Sequence, residues 1–190
     1  MNFETSTKEE KLNLIFGLYE THGNEDYIGE PVSQIEHMCQ SAQLAEKEDF
    51  DQEVILAAFF HDIGHLFAHL QESESMGGFG TKRHEQIGAD YLRKLGFPEK
   101  IAKLVENHVQ AKRYLTFRYP EYFEKLSEAS RQTLVYQGGP MSALEAEAFE
   151  LDPLFEASLK MRTWDEEAKL EFIPLPDLSK YREMASQVLK

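Results

Sequence analysis

The chain has 190 residues, of which 42% are hydrophobic and 28% charged, and this composition suits one globular domain with a substantial core. Its formal net charge of −14 argues against binding to nucleic acid or to an anionic membrane, because both favour a basic protein surface. A single cysteine, Cys39, excludes an intramolecular disulfide, and we find neither a secretory signal nor an apolar run of the ~20 residues that span a bilayer. We therefore expect a protein of the reducing cytoplasm.

Hydrophobic residues recur at helical spacing along the chain, which predicts an all-α fold. Capping residues and first-turn prolines predict helix starts at Ser6 with Glu9, Ser33 with Glu36, Asp51, Pro98, Ser142 with Glu145, and Pro153. A further helix is predicted from about Lys82 to Leu95, with Gly96 as its stop, and a last one over Ser179–Val188. The polar, glycine-containing segments 22–31 and 73–81 are predicted to be loops.

The remaining pattern completes the prediction of a helical bundle. Two short helices are predicted between Pro120 and Pro140, and no run of residues alternates as a strand does. We therefore predict a single catalytic domain over residues 1–190. It would carry a short C-terminal helical extension after about residue 173.

The adjacent pair His61 and Asp62 ends an otherwise apolar run over residues 54–60. A buried helix would favour Leu or Ala at such positions. Imidazole and carboxylate groups both bind divalent metals, and an aspartate can bridge two ions. Further candidate ligands lie on other predicted helices: His37, His84, His108 and Asp165. The sequence therefore predicts a dinuclear His/carboxylate site, for which Fe, Mn, Zn and Ni are all compatible.

A lone histidine on an apolar helix is more often a core residue than a ligand. That interpretation weakens here, because five of the seven histidines fall on predicted helices that face the same core. His22 and His69 are the exceptions and are assigned to loops or to the surface. The ligand spacings of ferritin-like diiron proteins and of zinc proteases are absent.

Three candidate ligands have a cationic or proton-bearing neighbour three or four residues away, on the same helix face. These neighbours are His65, Lys112 and Arg162. For either cation alone, a solvated or surface-paired side chain is the simpler interpretation. Their repetition on three helices favours a cavity with a metal floor and a basic wall, which fits a phosphate or phosphonate substrate.

The stretch HDIGH at residues 61–65, with its flanking histidines, resembles the HD-domain superfamily, an all-α fold whose members are mostly phosphohydrolases. A closer resemblance, over nearly the whole chain, is to the mixed-valent diiron oxygenases of that superfamily, which cleave carbon–phosphorus bonds. The stretches that carry it are DYIGE (Asp26–Glu30), LAAFFHDIGH (Leu56–His65), MGGFG (Met76–Gly80), GADYLRKLGF (Gly88–Phe97), HVQAKRYL (His108–Leu115), SEASRQTLVYQGGPM (Ser127–Met141) and KMRTWDE (Lys160–Glu166).

The resemblance implies an Fe(II)/Fe(III) pair and no organic cofactor. It implies that one iron is held by His37, His61, Asp62 and Asp165, and the other by His84, His108 and the bridging Asp62. A phosphonate-binding wall is implied at His65, Lys112, Ser130 and Arg162, and His65 is implied to be a catalytic residue as well. Tyr27 and Glu30 are implied to form a catalytic gate, in which Tyr27 occupies the open iron position at rest and Glu30 faces the ammonium end of the substrate.

The substrates implied are O2 and a 1-hydroxy-2-(amino or trimethylamino)ethylphosphonate, and the products are phosphate with glycine or glycine betaine. The sequence leaves the methylation state of the amine open. A trimethylammonium group prefers aromatic faces, for which the candidates are Tyr27, Phe79, Tyr114 and Tyr136.

Two other functions are compatible with the same residues. A metal-dependent phosphohydrolase would use the same ligands, although it has no evident use for a gate made of Tyr27 and Glu30. A catalytically silent regulatory HD domain is the third possibility, and the complete ligand set argues against it.

Overall fold

Regular structure in the computed structural model, which describes residues 6–27, 29–70 and 74–190, is helical. The helices are α1 (Lys8–His22), α2 (Gln34–Lys47), α3 (Gln52–Phe60), α4 (Ile63–Phe67), α5 (His84–Leu95), α6 (Glu99–Arg118), α7 (Pro120–Lys125), α8 (Glu128–Tyr136), α9 (Ala143–Glu150), α10 (Phe155–Glu167) and α11 (Ser179–Val188). A short 3-10 turn, Ala68–Leu70, follows α4. The described residues contain no strand, which confirms the all-α prediction, and none of their helices is both long and apolar enough to cross a membrane.

The capping boxes predicted at Ser33 and Ser142 are confirmed, and each serine accepts a hydrogen bond from the backbone three residues on. The box predicted at Ser6 is wrong by one residue. Thr7 caps α1, and the Glu10 side chain accepts a hydrogen bond from the Thr7 backbone N–H. The sequence STKEE satisfies the capping pattern in both registers, so the spacing alone could not choose between them.

Other helix starts lie one or two residues beyond their predicted positions. Pro98 is the N-cap of α6 and not a first-turn residue, and α10 begins two residues after Pro153. The helix predicted from Lys82 begins at His84, because Arg83 adopts the left-handed conformation with φ of 60°. That conformation cannot continue a right-handed helix, so His84 becomes the first helical residue.

The centre of the bundle is α3, in which all seven residues from Val54 to Phe60 are buried. A helix that is apolar on every side is stable only when neighbours surround it, and α2, α6, α10 and α11 all contact this one. Tyr181 and Ala185 of α11 are completely buried in the same core. The helix after residue 173 therefore packs on the main core, and the boundary of a C-terminal extension stays a prediction.

The contact between α4 and α5 fixes the spacing of two functional helix ends. Gly64 lies so close to α5 that a Cβ atom at this position would overlap the backbone carbonyl of His84. The absence of a side chain at Gly64 therefore lets the start of α4, next to Asp62, approach the start of α5 at His84.

Candidate metal centre

The structure brings the six predicted ligands together in one buried cluster. None of them is more than 4% exposed. Four lie in helices, and the adjacent His61 and Asp62 join α3 to α4. The six residues are His37 in α2, His61 at the end of α3, Asp62 before α4, His84 at the start of α5, His108 in α6 and Asp165 in α10.

The first half of the cluster comprises His37, His61, Asp62 and Asp165. The Nε2 atoms of His37 and His61 are 3.0 Å apart. Oδ2 of Asp62 lies 3.6 Å from Nε2 of His37 and 3.5 Å from Nε2 of His61. Oδ1 of Asp165 lies 3.4 Å from Nε2 of His37. Four donor atoms therefore surround one point.

The second half comprises His84 and His108 with the other oxygen of Asp62. Oδ1 of Asp62 lies 3.2 Å from Nε2 of His84 and 3.5 Å from Nε2 of His108, and the two Nε2 atoms are 3.1 Å apart. The two oxygens of Asp62 thus point at different histidine pairs, which is the geometry of a carboxylate that bridges two ions.

Backbone carbonyls fix the orientation of all four imidazoles. The Nδ1 atoms of His37, His61, His84 and His108 contact the carbonyl oxygens of Ala168, Ala58, Thr81 and Val105 at 2.6–3.2 Å. A carbonyl oxygen only accepts, so each Nδ1 must donate, and the lone pair of the neutral ring lies on Nε2. Histidine ligands in metalloproteins are held in this way.

These residues fit a pair of metal ions. Two Nε2 lone pairs that face each other at 3.0 Å repel one another unless a cation lies between them. Nitrogen ligands lie ~2.0–2.1 Å from a metal, so two of them at right angles about one ion are roughly 3 Å apart. Oδ2 of Asp62 is buried and accepts no hydrogen bond within the described part of the chain, which leaves it available as a ligand.

Most ligands also have the protonation state that a metal requires. Burial lowers the pKa of His61, and it lowers that of His108 to about 3, so both rings are neutral. Burial alone would raise the pKa of Asp62, but the neighbouring His61 and His84 outweigh it and hold the pKa well below its usual range. His84 is the exception, because its contact with Asp62 raises its pKa despite burial. A metal must therefore compete with a proton at His84 in acid.

A cavity opens beside the cluster, with an empty volume of about 610 Å³ that includes space open to solvent. Asp62, His84, His108 and Asp165 form part of its lining. All the predicted substrate and gate residues line it as well, namely Tyr27, Glu30, His65, Lys112, Ser130 and Arg162. The structure therefore places these side chains around one space that adjoins the candidate metal centre.

Lys112 is a buried cation with neutral partners. Its side chain is turned inward, with 2% of the residue exposed, and Nζ donates to Oγ1 of Thr133 at 2.8 Å and to Oε1 of Gln137 at 3.1 Å. Among the described residues no carboxylate forms an ion pair with it. Burial, and then the charge of Arg162, lowers its pKa well below the ordinary value. A bound anion would compensate this charge.

Arg162 joins the metal cluster to the cavity wall. Its guanidinium donates to Oδ2 of Asp165 and, at 3.1 Å, to Oγ of Ser130. It also pairs with Glu166 and donates to the hydroxyl of Tyr122 at 2.8 Å. These contacts hold the guanidinium plane in place, which is the requirement for directional binding of a phosphonate.

Neighbouring groups also fix the orientation of the His65 ring. Its ring stacks on that of His84 with centroids 4.1 Å apart, and its Nδ1 accepts a hydrogen bond from the backbone N–H of Thr81 at 3.1 Å. Burial lowers its pKa to about 3, so the ring is neutral. The proton therefore resides on Nε2, which leaves His65 with one N–H to donate.

The two predicted gate residues have different surroundings. The ring of Tyr27 stacks on His37 with centroids 4.1 Å apart, and burial, followed by the charges of Asp62 and Asp165, raises its pKa well above the usual value. Glu30, in contrast, is already paired, since its Oε1 accepts hydrogen bonds from Oγ of Ser127 at 2.5 Å and from Nζ of Lys169 at 2.8 Å. Residue 28 between them lies outside the described part.

Of the four aromatic residues considered for a trimethylammonium group, Tyr27 and Phe79 line the cavity. Tyr114 instead packs against Phe149 and Phe155 in a small separate core. Tyr136 is 45% exposed. The remaining aromatic surface in the cavity is therefore small.

Among the cavity residues that the sequence analysis does not identify are Thr133, Gln137 and Lys169. The helical spacing contained a signal for each of them. Thr133 in α8 and Gln137 at its C-cap lie three and seven residues after Ser130, which is helical spacing. Lys169 follows Asp165 by four residues, the spacing that singled out Lys112 after His108.

The two histidines assigned to loops or surface, His22 and His69, lie away from the cluster. Their rings stack on each other with centroids 3.7 Å apart, and both contact the exposed Glu25. His22 is the last residue of α1, and His69 lies in the 3-10 turn.

Comparison with known proteins agrees with this architecture. Residues 35–146 match the HD domain family. An uncharacterised protein of Acanthamoeba polyphaga mimivirus is 48% identical over 95% of this chain and 82% of its own length. The (1-hydroxy-2-(trimethylamino)ethyl)phosphonate dioxygenase (glycine-betaine-forming) of Leisingera caerulea is 39% identical over 94% of this chain and 90% of its own. The hydroxymethylphosphonate dioxygenase of Gimesia maris is 35% identical over 93% and 87%.

Proposed function

This chain belongs to the HD-domain family, in the group that includes phosphonate dioxygenases, and from this membership we propose that it cleaves the carbon–phosphorus bond of a 1-hydroxyphosphonate with O2. The resemblance in sequence indicates a 1-hydroxy-2-(amino or trimethylamino)ethylphosphonate, which would give phosphate with glycine or glycine betaine. The C1–H and C1–P bonds break. One oxygen atom of O2 joins C1 as part of the carboxylate and the other joins phosphorus, so O2 is the only oxidant required.

The six clustered residues would hold two iron ions, which would supply the electron-transfer chemistry by which O2 oxidises the substrate. Asp62 is proposed to connect the two positions because its oxygens face different histidine pairs. The carbonyl contacts at Nδ1 keep every Nε2 directed inward. The protein thereby fixes the positions of the ligands before any substrate arrives.

The cavity wall is proposed to bind and orient the phosphonate. Lys112 contributes a buried charge that has no carboxylate partner among the described residues, and Arg162 contributes a guanidinium held in one plane. His65 donates from Nε2 to an oxygen of the substrate. Met76 and Phe79 also line the cavity, and their apolar side chains are proposed to limit the access of water. Orientation of this kind can contribute several kcal/mol to catalysis.

Tyr27 is proposed as the gate residue, and its position is the observation that favours an oxygenase over a hydrolase. The phenol lies against His37 and close enough to Asp62 and Asp165 for their charges to raise its pKa. A phenol at this position can block an open metal site until substrate displaces it. A metal-dependent phosphohydrolase is the alternative, because the ligand set alone would also activate water.

The test is to load the protein separately with iron and with zinc and to offer it hydroxyphosphonates and phosphate monoesters. We expect phosphate release from hydroxyphosphonates by the iron-loaded form only, because zinc has no redox chemistry. Release of phosphate from monoesters by the zinc-loaded form, without turnover of any hydroxyphosphonate, would instead establish the phosphohydrolase.

A further inference from the structure

We propose that Lys169 is a specificity-determining residue, which makes the cavity favour hydroxyphosphonates that carry no cationic amine. It would do so by occupying the carboxylate that a substrate cation needs. This inference rests on the proposed oxidative cleavage of the carbon–phosphorus bond. It concerns the end of the substrate remote from phosphorus, and it replaces the amine-bearing substrate that the resemblance in sequence indicates with one that has no amine.

The ion pair between Lys169 and Glu30 is well defined. Nζ of Lys169 donates to Oε1 of Glu30 at 2.8 Å, and both side chains line the cavity with only 15% and 9% of their surface exposed. The hydroxyl of Ser127 donates to the same carboxylate oxygen at 2.5 Å. Nζ also lies 3.7 Å from Oε2 of Glu166. Glu30 is therefore neutralised by the protein itself before any ligand binds.

Within the described part of the chain, no other carboxylate that lines the cavity offers an equivalent position. Asp62 and Asp165 face the candidate metal positions, and the remaining one, Asp26, is exposed. A substrate cation that approaches Glu30 would meet the ammonium group of Lys169. The two positive charges would repel each other, because solvent screens charges only weakly in a partly buried site.

A trimethylammonium group faces a second difficulty. It has no N–H, so it cannot replace the hydrogen bond that Lys169 donates to Glu30. Hydroxymethylphosphonate, which has neither the amine nor the carbon that bears it, leaves the pair intact. The two named relatives act on substrates that differ in this group. The cavity is therefore preset for a phosphonate substrate that has no cationic amine.

The experiment measures dissociation constants for hydroxymethylphosphonate and for 1-hydroxy-2-(trimethylamino)ethylphosphonate by calorimetry. The iron-loaded protein is used under anaerobic conditions, so no turnover interferes. Wild type is expected to bind hydroxymethylphosphonate more tightly than the trimethylammonium compound. Lys169→Met removes the competing charge and should move the ratio of the two constants by roughly tenfold towards the trimethylammonium compound, the size expected for one charged hydrogen bond.

Lys160→Met is the matched control, because it makes the same chemical change on α10 at an exposed pair with Glu48. It should leave the ratio unchanged. In the double variant Lys169→Met with Glu30→Gln, the gain in affinity for the trimethylammonium compound should disappear. The Glu30 carboxylate that Lys169→Met would free is no longer present. That loss would separate a specific effect on Glu30 from a general change in cavity charge.

An unchanged ratio in Lys169→Met would overturn the proposal, as would a wild type that prefers the trimethylammonium compound. The wild-type comparison decides the matter even if Lys169→Met does not fold. If the ratio moves as expected but neither compound is turned over in air, the oxygenase assignment fails and the role of Lys169 stands. If turnover occurs and the ratio does not move, the oxygenase assignment stands and the proposed role of Lys169 fails.

Discussion

Replacement of Lys112 by methionine should weaken phosphonate binding while it stabilises the protein without ligand. Lys112 is buried, and its ammonium group donates only to the neutral side chains of Thr133 and Gln137. An uncompensated buried charge costs folding free energy, whereas the same charge would stabilise a bound anion. Methionine retains most of the length and apolar volume of lysine and removes the charge.

Lys112→Met should lower the affinity for the phosphonate and raise the free energy of unfolding. A charged hydrogen bond to the phosphonate is worth ~1.5–3 kcal/mol, so affinity should fall roughly 10- to 100-fold. The free energy of unfolding of the metal-free protein should rise by roughly 1 kcal/mol, in line with other replacements of buried charges by apolar side chains.

This stabilisation should depend on pH in a defined direction. Burial lowers the pKa of Lys112 in the folded protein, so the unfolded chain binds this proton more tightly. The free-energy penalty for burying the charged Lys112 is complete at pH values below its pKa in the folded protein. It disappears as the pH rises toward the ordinary lysine pKa of 10.5. The advantage of Lys112→Met over wild type should shrink across that interval.

Calorimetry with a hydroxyphosphonate and chemical denaturation of the metal-free protein give the two quantities. Lys103→Met is the matched control, because Lys103 lies on the same helix but is partly exposed and paired with Glu106. It should change neither affinity nor stability by a comparable amount. A Lys112→Met protein that binds with wild-type affinity and is less stable would refute the reasoning, since Lys112 would then be an ordinary structural cation.

Three further predictions concern the metal cluster, the gate and the fold. Asp62→Ala should retain almost no metal, because Asp62 contributes an oxygen to both groups, whereas His37→Ala should retain about one ion of the two; two ions per chain in Asp62→Ala, by metal analysis after desalting, would contradict the bridge. Tyr27→Phe preserves the stacked ring, so it should remove a visible phenolate-to-iron(III) absorption band and barely change the melting temperature; the gate is wrong if oxidised wild type has no such band. Gly64→Ala should cost roughly 1–3 kcal/mol in a denaturant titration, because the methyl group would overlap the His84 carbonyl, and unchanged stability would argue against the close approach of α4 and α5.

Much of the fold and the whole candidate ligand set could be predicted from the sequence. Polar residues such as His61 and Asp62 stand out because they interrupt an apolar helix, where a core would not otherwise place them. The capping boxes at Ser33 and Ser142 depend on contacts three residues apart, which the sequence shows directly.

Features that depend on backbone conformation or on contacts between residues far apart in the chain could not be predicted from the sequence. The start of α5 is set by the left-handed conformation of Arg83, which no spacing indicates. The pairing of Glu30 with Lys169 joins residues 139 positions apart in the chain. The spacing from Asp165 could have indicated that Lys169 faces the cavity, but only the three-dimensional structure shows that Glu30 is its partner.

The most direct test of the proposed oxygenase is the ratio of O2 consumed to phosphate released by the iron-loaded protein with a hydroxyphosphonate. An oxygen electrode and a phosphate assay on the same reaction give both numbers. The proposed reaction predicts one O2 per phosphate and no phosphate under anaerobic conditions. Phosphate released at an equal rate without O2 would contradict it and would assign the cluster to hydrolysis.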